Sequence, residues 1–450
     1  MDHDVDSYND IVERALHDNI HFIQLQFTDI HGYIKAVTLP VDQLHEALTR
    51  GVWFDGSSIE GFTRICESDM YLKPDPQTYA SLPWGNEHMQ TARLICDIYT
   101  PEGQPFEGDP RFVLKRILHR AEQLGFSYKV GPELEFFLFK PNTDHTIEPM
   151  TNDNAGYFDF APRDSADVVR KEIIQGLQML GLEVEMSHHE VSPGQHEINF
   201  KYDEALKQAD HCNTFKYVVK STAQRHNLYA SFMPKPIYNI NGSGMHVHQS
   251  LFDITSQQNV FFDASDTYKL SSTAKHFIAG QLIHAKAISA ITSPTVNSYK
   301  RLVPGYEAPV YICWGAKNRS ALVRIPRYSP GREQATRCEL RSPDPSCNPY
   351  LAFAVMLAAG LDGIQRQLSL PEPTESNVFA LTHQQRRDQG IDTLPGSLFE
   401  ACAELEKDPV IIEALGPHIV DMFLNGKRQE WTEFHQQITP WELQRYLEYL

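Results

Sequence analysis

The sequence predicts an α+β protein, with a small β-rich N-terminal domain followed by a larger mixed one. Three observations predict it. Residues 20–39 alternate in β-branched and aromatic residues around the turn DIHG, as a β-hairpin does. Between 126 and 342, five more segments carry polar residues at period two. Helical patterns separate those strands and occupy most of the chain from 349 onward. A length of 450 residues exceeds one ordinary core. The Pro/Gly-rich stretch TPEGQPFEGDP sets a boundary near 105, which divides the chain into 1–105 and 106–450.

The elements follow in order. VDQLHEALTRG reads as a short amphipathic helix ended by Gly51. ARLICDIYT closes a strand, and a helix begins near Pro110. FSYKVGPELEFFLF is a strand, and SHHEVSPGQHEINF gives two strands around a Ser-Pro-Gly turn. NGSGMHVHQSLF and ATRCELRSPD are two more. SADVVRKEIIQGLQMLG, YDEALKQADHCNTFKYVVKSTAQRHN and a stretch near 271–292 are helical. LAFAVMLAAGL, 351–361, is too short to span a membrane and fits a buried helix.

Composition narrows the function. Hydrophobic residues at 41% and charged residues at 22% describe a globular protein with a large interior. A net charge of −18 without any Lys/Arg-rich run argues against nucleic acid or an anionic membrane as partner. An anionic ligand would then need local arginines or metal ions. The opening MDHDVDSYND is acidic and polar, unlike a secretory signal or a basic transit peptide. Seven scattered cysteines form no CxxC pair, which points to reduced thiols in the cytoplasm and away from structural zinc.

The strand phases carry the chemistry. Residues i and i+2 of a strand share a face. Glu133 and Glu135 therefore look the same way, as do His188 with Glu190, Gln195 with Glu197, and Arg337 with Glu339 and Arg341. His246 and His248 face opposite to Met245 and Val247. Each segment alone is ordinarily a solvated face or an exposed hairpin. Jointly, and in one sheet, Glu133, Glu135, Glu190, Glu197, Glu339 and His246 would line a common cavity. Oxygen-rich ligation with one imidazole suits Mg²⁺ or Mn²⁺, and five carboxylates suffice for two ions. Arg301, Arg319, Arg324, Arg337 and Arg341 beside them suggest an anionic substrate, although isolated surface ion pairs would look alike in sequence. No GxxxxGK[ST] or GxGxxG is present, which excludes a P-loop and a Rossmann crevice.

FDGSSIEGF, GPELEFFLF, SHHEVSPGQHE, NGSGMH, YKRLVPGYEAP, NRSALVRIP and CELRSPDPSCNPYLA together resemble bacterial and archaeal type I glutamine synthetase. The likeness runs from about residue 18 to the C terminus, in the family's order. It implies a β-grasp-like N-terminal domain and a catalytic domain built on a curved antiparallel sheet flanked by helices. It also implies ATP-dependent ligation of ammonia to glutamate through γ-glutamyl phosphate. By motif, Glu135, Glu190 and Glu197 resemble the ligands of one ion, and Glu133, His246 and Glu339 those of the other. Asn241, Gly242, Arg301, Arg319 and Arg341 resemble the glutamate side. Glu185, His248, Ser250, Arg319, Arg324 and Arg337 resemble the nucleotide and phosphate contacts. Glu307 matches a flap glutamate that closes over the intermediate and, with Arg341, belongs to the catalytic positions. Asp55 resembles the residue that binds ammonium and deprotonates it, reaching the site from a neighbouring subunit.

The resemblance further implies a dodecamer of two hexameric rings, with the C-terminal helix docking across rings, and a family open to small regulatory proteins. The adenylylated subgroup carries a tyrosine in an Asn-Leu-Tyr segment; here SNVFALT has Phe379, and Gln334 replaces a lysine near ATP. The shorter subgroup fits better, and Arg64 in EGFTR matches its glutamine-feedback arginine. Two other functions are open to the same fold: ligation of a polyamine or other amine to glutamate, and a non-catalytic structural or regulatory role. Asp55, Glu307 and six filled ligand positions favour ammonia ligation over both.

Overall fold

The computed structural model describes residues 2–57, 59, 61, 69–85, 88–141, 149–304 and 308–450, without the side chains of 2–7 and 383. The first sheet contains β1 (Phe22–Thr28), β2 (Ile34–Pro40), β3 (Val52–Asp55), β4 (Asp69–Pro74), β5 (Ala80–Ser81) and β6 (Thr91–Tyr99). Their order is β2-β1-β6-β4-β3, with β5 on β6. The expected hairpin forms in register from Phe22↔Pro40 to Thr28↔Ile34. Its turn is closed by the Asp29 carboxylate, which accepts from the N–H groups of His31 and Tyr33 at 3.0 and 2.9 Å. The helix Leu44–Arg50 stops at Gly51, whose φ of 73° suits glycine. The acidic opening folds as the helix Asp2–His17 and lays Tyr8, Ile11, Val12 and Ala15, spaced at the helical period, on the small core.

The second sheet contains β7 (Phe126–Phe139), β8 (Val184–His189), β9 (Gln195–Phe200), β10 (Asp203–Glu204), β11 (Tyr229–Ser231), β12 (Met245–Asp253), β13 (Tyr311–Gly315), β14 (Ala321–Arg324), β15 (Cys338–Leu340) and β16 (Asp392–Thr393). Its order is β16-β13-β14-β15-β12-β7-β9-β8, with β10 and β11 also pairing β7. All five segments read from the sequence as polar-faced strands therefore join one sheet. Every pairing is antiparallel except β13 with β14, so the expected antiparallel sheet is mixed at that edge. Asn318 braces the short β13–β14 link, its amide donating to the carbonyls of Thr374 and Ser376.

Helices cover the apolar face of this sheet. Pro349–Gln365 is buried from end to end through Gly363, as its run of apolar residues required. It crosses Ser272–Ile283 so closely that a Cβ on Gly280 would stand 2.0 Å from the Ala359 carbonyl oxygen. A buried guanidinium ties the first sheet to the helices behind the second: Arg111 reaches Asp75 at 2.8 Å and Asp97 at 2.7 Å on one side, and Asp210 of the helix Ala205–Arg225 at 3.1 Å on the other. The Tyr350 hydroxyl donates to the same Asp210 at 2.6 Å. Among the described residues no helix is long and apolar enough to cross a membrane.

Candidate active site

β7 positions the site because its two ends have different neighbours. One edge is covered by β12 from Phe126 to Leu134, then by β11 from Phe137 to Phe139. Glu135 falls in the gap, where its N–H donates to the Gly244 carbonyl at 3.1 Å. The opposite edge meets β9, which sets Glu135 directly across from Glu197. The period-two pattern thus puts Glu133 and Glu135 on one face, while Leu134 and Phe136 pack into the core behind.

Around Glu133 the charges are balanced. Its carboxylate lies 3.0 Å from His248 Nε2 and 3.7 Å from His246 Nδ1. Arg337 Nε–H donates to His248 Nδ1 at 3.1 Å, so His248 carries its proton on Nε2 and donates it to Glu133. Buried Glu339 lies 3.8 Å from His246 Nδ1 and 3.3 Å from Arg341 Nε, and it also accepts from Arg324. Burial raises the pKa of Glu133, yet the two imidazoles hold it far below the usual carboxylate range. Glu339 is lowered too: the imidazoles and guanidinium groups outweigh its burial.

Around Glu135 they are not. Burial, then the charge on Glu190, pushes Glu135 up to about 8 against the help of the Gly244 N–H. Burial, then Glu135 and Glu133, pushes Glu197 up to about 9. Carboxylates this close in low dielectric, with Arg301 too weak a counter-charge to hold Glu135 down, form a site that a cation or bound protons would satisfy.

The ligand atoms fall into two groups, each within 4.8 Å: Glu133, His246 and Glu339, and His188, Glu190 and Glu197. The first is the expected set. In the second, His188 joins Glu190 and Glu197, while the Glu135 carboxylate beside them accepts from Gln195 Nε2 and the Gly244 N–H, at 3.0 and 2.9 Å. Glu190 lies one residue beyond β8, on the turn rather than in the strand. Oxygen-rich donor sets of this kind fit Mg²⁺ or Mn²⁺.

Asn241, Gly242, Arg301 and Arg341 meet Glu135, Glu190 and His246 around a cavity of about 50 Å³. Arg301 is buried and spends N–H groups on the carbonyls of Ser342 (2.7 Å), Pro343 (3.2 Å) and Arg341 (3.2 Å). A Cβ on Gly242 would meet the Pro234 carbonyl at 2.2 Å, so that backbone admits only glycine. A larger cleft of about 790 Å³ lies between residues 30–34, the helix Ala205–Arg225 and the helix Pro417–His435, away from both ligand groups.

Other expected residues sit further out. Glu185 is exposed on β8, and Ser250 is buried on β12, on the same side as His248. Arg319 is exposed, and its carbonyl accepts from Arg341. Arg337 precedes β15 instead of lying within it. Asp55 is exposed at the end of β3, accepts from the Ser57 N–H at 2.8 Å, and does not line the small cavity. Glu307 and Arg64 lie outside the described residues. His188 and Gln195 were on the right strand faces in the sequence, but nothing there marked them as partners of the carboxylates.

Sheet-borne carboxylates in two groups, rimmed by guanidinium groups, define a protein that handles anionic substrates with divalent cations. The sequence model described as "Glutamine synthetase, catalytic domain" matches residues 107–446, and that described as "Glutamine synthetase, beta-Grasp domain" matches 19–101. The glutamine synthetase of Thermotoga maritima is 52% identical over 430 residues, covering 96% of this chain and 97% of that protein. That of Methanosarcina mazei is 51% identical over 441 residues, covering 98% of each. A solved structure described as a GmaS/ADP complex superposes with a TM-score of 0.88 at 34% identity, covering 97% of this chain and 99% of the other. The chain belongs to the glutamine synthetase family.

Proposed function

We propose that the protein ligates ammonia to the γ-carboxylate of L-glutamate, converting ATP to ADP and phosphate and releasing L-glutamine. The observation that carries this reading is the meeting, around one small cavity, of Arg301, Arg341, Asn241 and Gly242 with the carboxylates Glu135 and Glu190. Arg301 and Arg341 bind and orient the glutamate carboxylates. Glu133, His246 and Glu339 hold one divalent ion, and Glu190, Glu197, Glu135 and His188 hold the other. When bound, these Mg²⁺ or Mn²⁺ ions neutralise phosphate charge and favour in-line transfer.

Arg319, Arg324 and Arg337, with His248, Ser250 and Glu185, face the nucleotide phosphates. The γ-phosphoryl group of ATP moves to the glutamate γ-oxygen, giving an acyl phosphate and ADP. Ammonium loses a proton to Asp55, and the ammonia attacks the acyl carbon and expels phosphate. Glu307 closes the site meanwhile, since an acyl phosphate open to water hydrolyses. Asp55 belongs to residues 1–105 and completes the site of a neighbouring copy; its position outside the cavity lining of its own chain supports this. On this reading residues 106–450 form the catalytic domain, the assembly is a dodecamer of two hexameric rings in the cytoplasm, Phe379 precludes tyrosine adenylylation, and Arg64 serves glutamine feedback.

Purified protein with ATP, Mg²⁺ and glutamate should release phosphate with ammonia. Release only with another amine from a panel would instead establish an amine ligase. No release with any amine would support the non-catalytic role.

A further inference from the structure

Behind the candidate ion site lies a second cluster. In the β8–β9 ladder His188 faces Glu197 on the site side, and the next rung, His189 with His196, faces the interior. His189 is fully buried and uses both ring nitrogens. Nδ1 donates to the Glu190 carbonyl at 2.7 Å, and Nε2 to Asp153 Oδ1 at 3.1 Å. The same Asp153 oxygen accepts the N–H of Gly194 at 3.1 Å and of Ala155 at 3.2 Å. Asp153 thereby grips both ends of the turn from Glu190 to Gln195: Gly194 directly, and Glu190 through the imidazole.

Although Asp153, His189 and His196 lie within 4.8 Å, they do not form a third ion site. His189 has no lone pair left, and His196 Nδ1 already faces the Arg170 guanidinium at 3.0 Å. Their consequence falls on the turn. It carries Glu190, and its last residue, Gln195, donates to Glu135. A turn free to shift would change the spacing between Glu190, on the turn, and Glu197, on β9.

We propose that Asp153 and His189 are positioning residues that lock the Glu190–Gln195 turn, so that Glu190 and Glu197 stand preset for a divalent cation. Neither residue touches the cation or the substrates. The inference rests on reading Glu190 and Glu197 as cation ligands, and the test separates the two.

The test measures Mn²⁺ binding to metal-free, substrate-free protein by electron paramagnetic resonance for wild type, His189→Leu, His189→Asn and Glu190→Gln. Removing a residue that orients a ligand typically weakens metal binding by about 10–100-fold, the loss expected of His189→Leu. His189→Asn keeps a donor near the Nδ1 position for the Glu190 carbonyl, so its loss should be smaller, about 3–10-fold. With saturating Mg²⁺ both variants should keep kcat within about threefold of wild type while needing more ion for half-maximal rate. If His189→Leu fails to fold, His189→Asn decides. Wild-type Mn²⁺ affinity in the folded histidine variants, with weakened binding in Glu190→Gln, overturns the positioning role. Wild-type affinity in Glu190→Gln as well overturns the ligand assignment itself.

Discussion

Glu135→Gln should stabilise the metal-free protein while weakening the cation site it shares with Glu190 and Glu197. Glu135 is buried opposite Glu197 and close to Glu190, and its pKa is pushed from an ordinary 4.5 up to about 8. Between those values the folded chain holds a proton that the unfolded chain has lost. Each pH unit there costs about 1.4 kcal/mol, so the whole window bounds the penalty at about 5 kcal/mol. Water entry and relaxation leave about 1–3 kcal/mol as the expected gain on removing the charge. Glutamine keeps the shape, and its amide oxygen still accepts from Gln195 and Gly244. Melting in chelator at pH 8 should rise by about 2–6 °C. Added Mn²⁺ should raise the wild-type melting temperature much more than the variant's, and synthesis should be lost. A variant less stable than wild type in chelator would refute the reasoning, because Glu135 would then be satisfied without a cation.

The same repulsion sets a pH dependence. Glu135 and Glu197 have folded pKa values raised above the unfolded 4.5, so their contribution to metal-free stability is full below about pH 4.5 and is lost as pH rises to about 8–9. Saturating Mg²⁺ should flatten that decline, as chemical denaturation at fixed pH would record. Arg301→Lys, with three donors in place of five, has none left over for substrate if it braces those carbonyls, and it presents no planar fork. It should raise the glutamate KM about 10–100-fold with a smaller effect on the ATP KM, measured by initial rates. Arg111→Met strands Asp75, Asp97 and Asp210 without their guanidinium. It should cost about 3–5 kcal/mol, seen as a lower melting temperature and faster proteolysis near the junction of the two sheets.

Much of this protein is legible in its sequence. Strand period alone placed Glu133 with Glu135 and Glu197 with Gln195, because side-chain direction in a strand alternates whatever the tertiary context. The apolar run at 351–361 had to be an interior helix, since neither water nor a membrane suits eleven such residues. Other features were beyond local pattern. The parallel pairing of β13 with β14 depends on a five-residue link braced by Asn318 against residues 374–376.

What the sequence by itself determined is the chemical inventory and the face each group occupies: acidic and imidazole residues on polar strand faces, with apolar residues behind. What only the tertiary structure decided is which groups share space. The strand order brings Glu339 beside His246 across more than ninety residues, sets Glu135 against Gln195, and brings His188 beside Glu190 and Glu197. Faces follow from the local geometry of one strand. Neighbours follow from long-range pairing, whose register depends on turns, caps and packing far from the residues that meet.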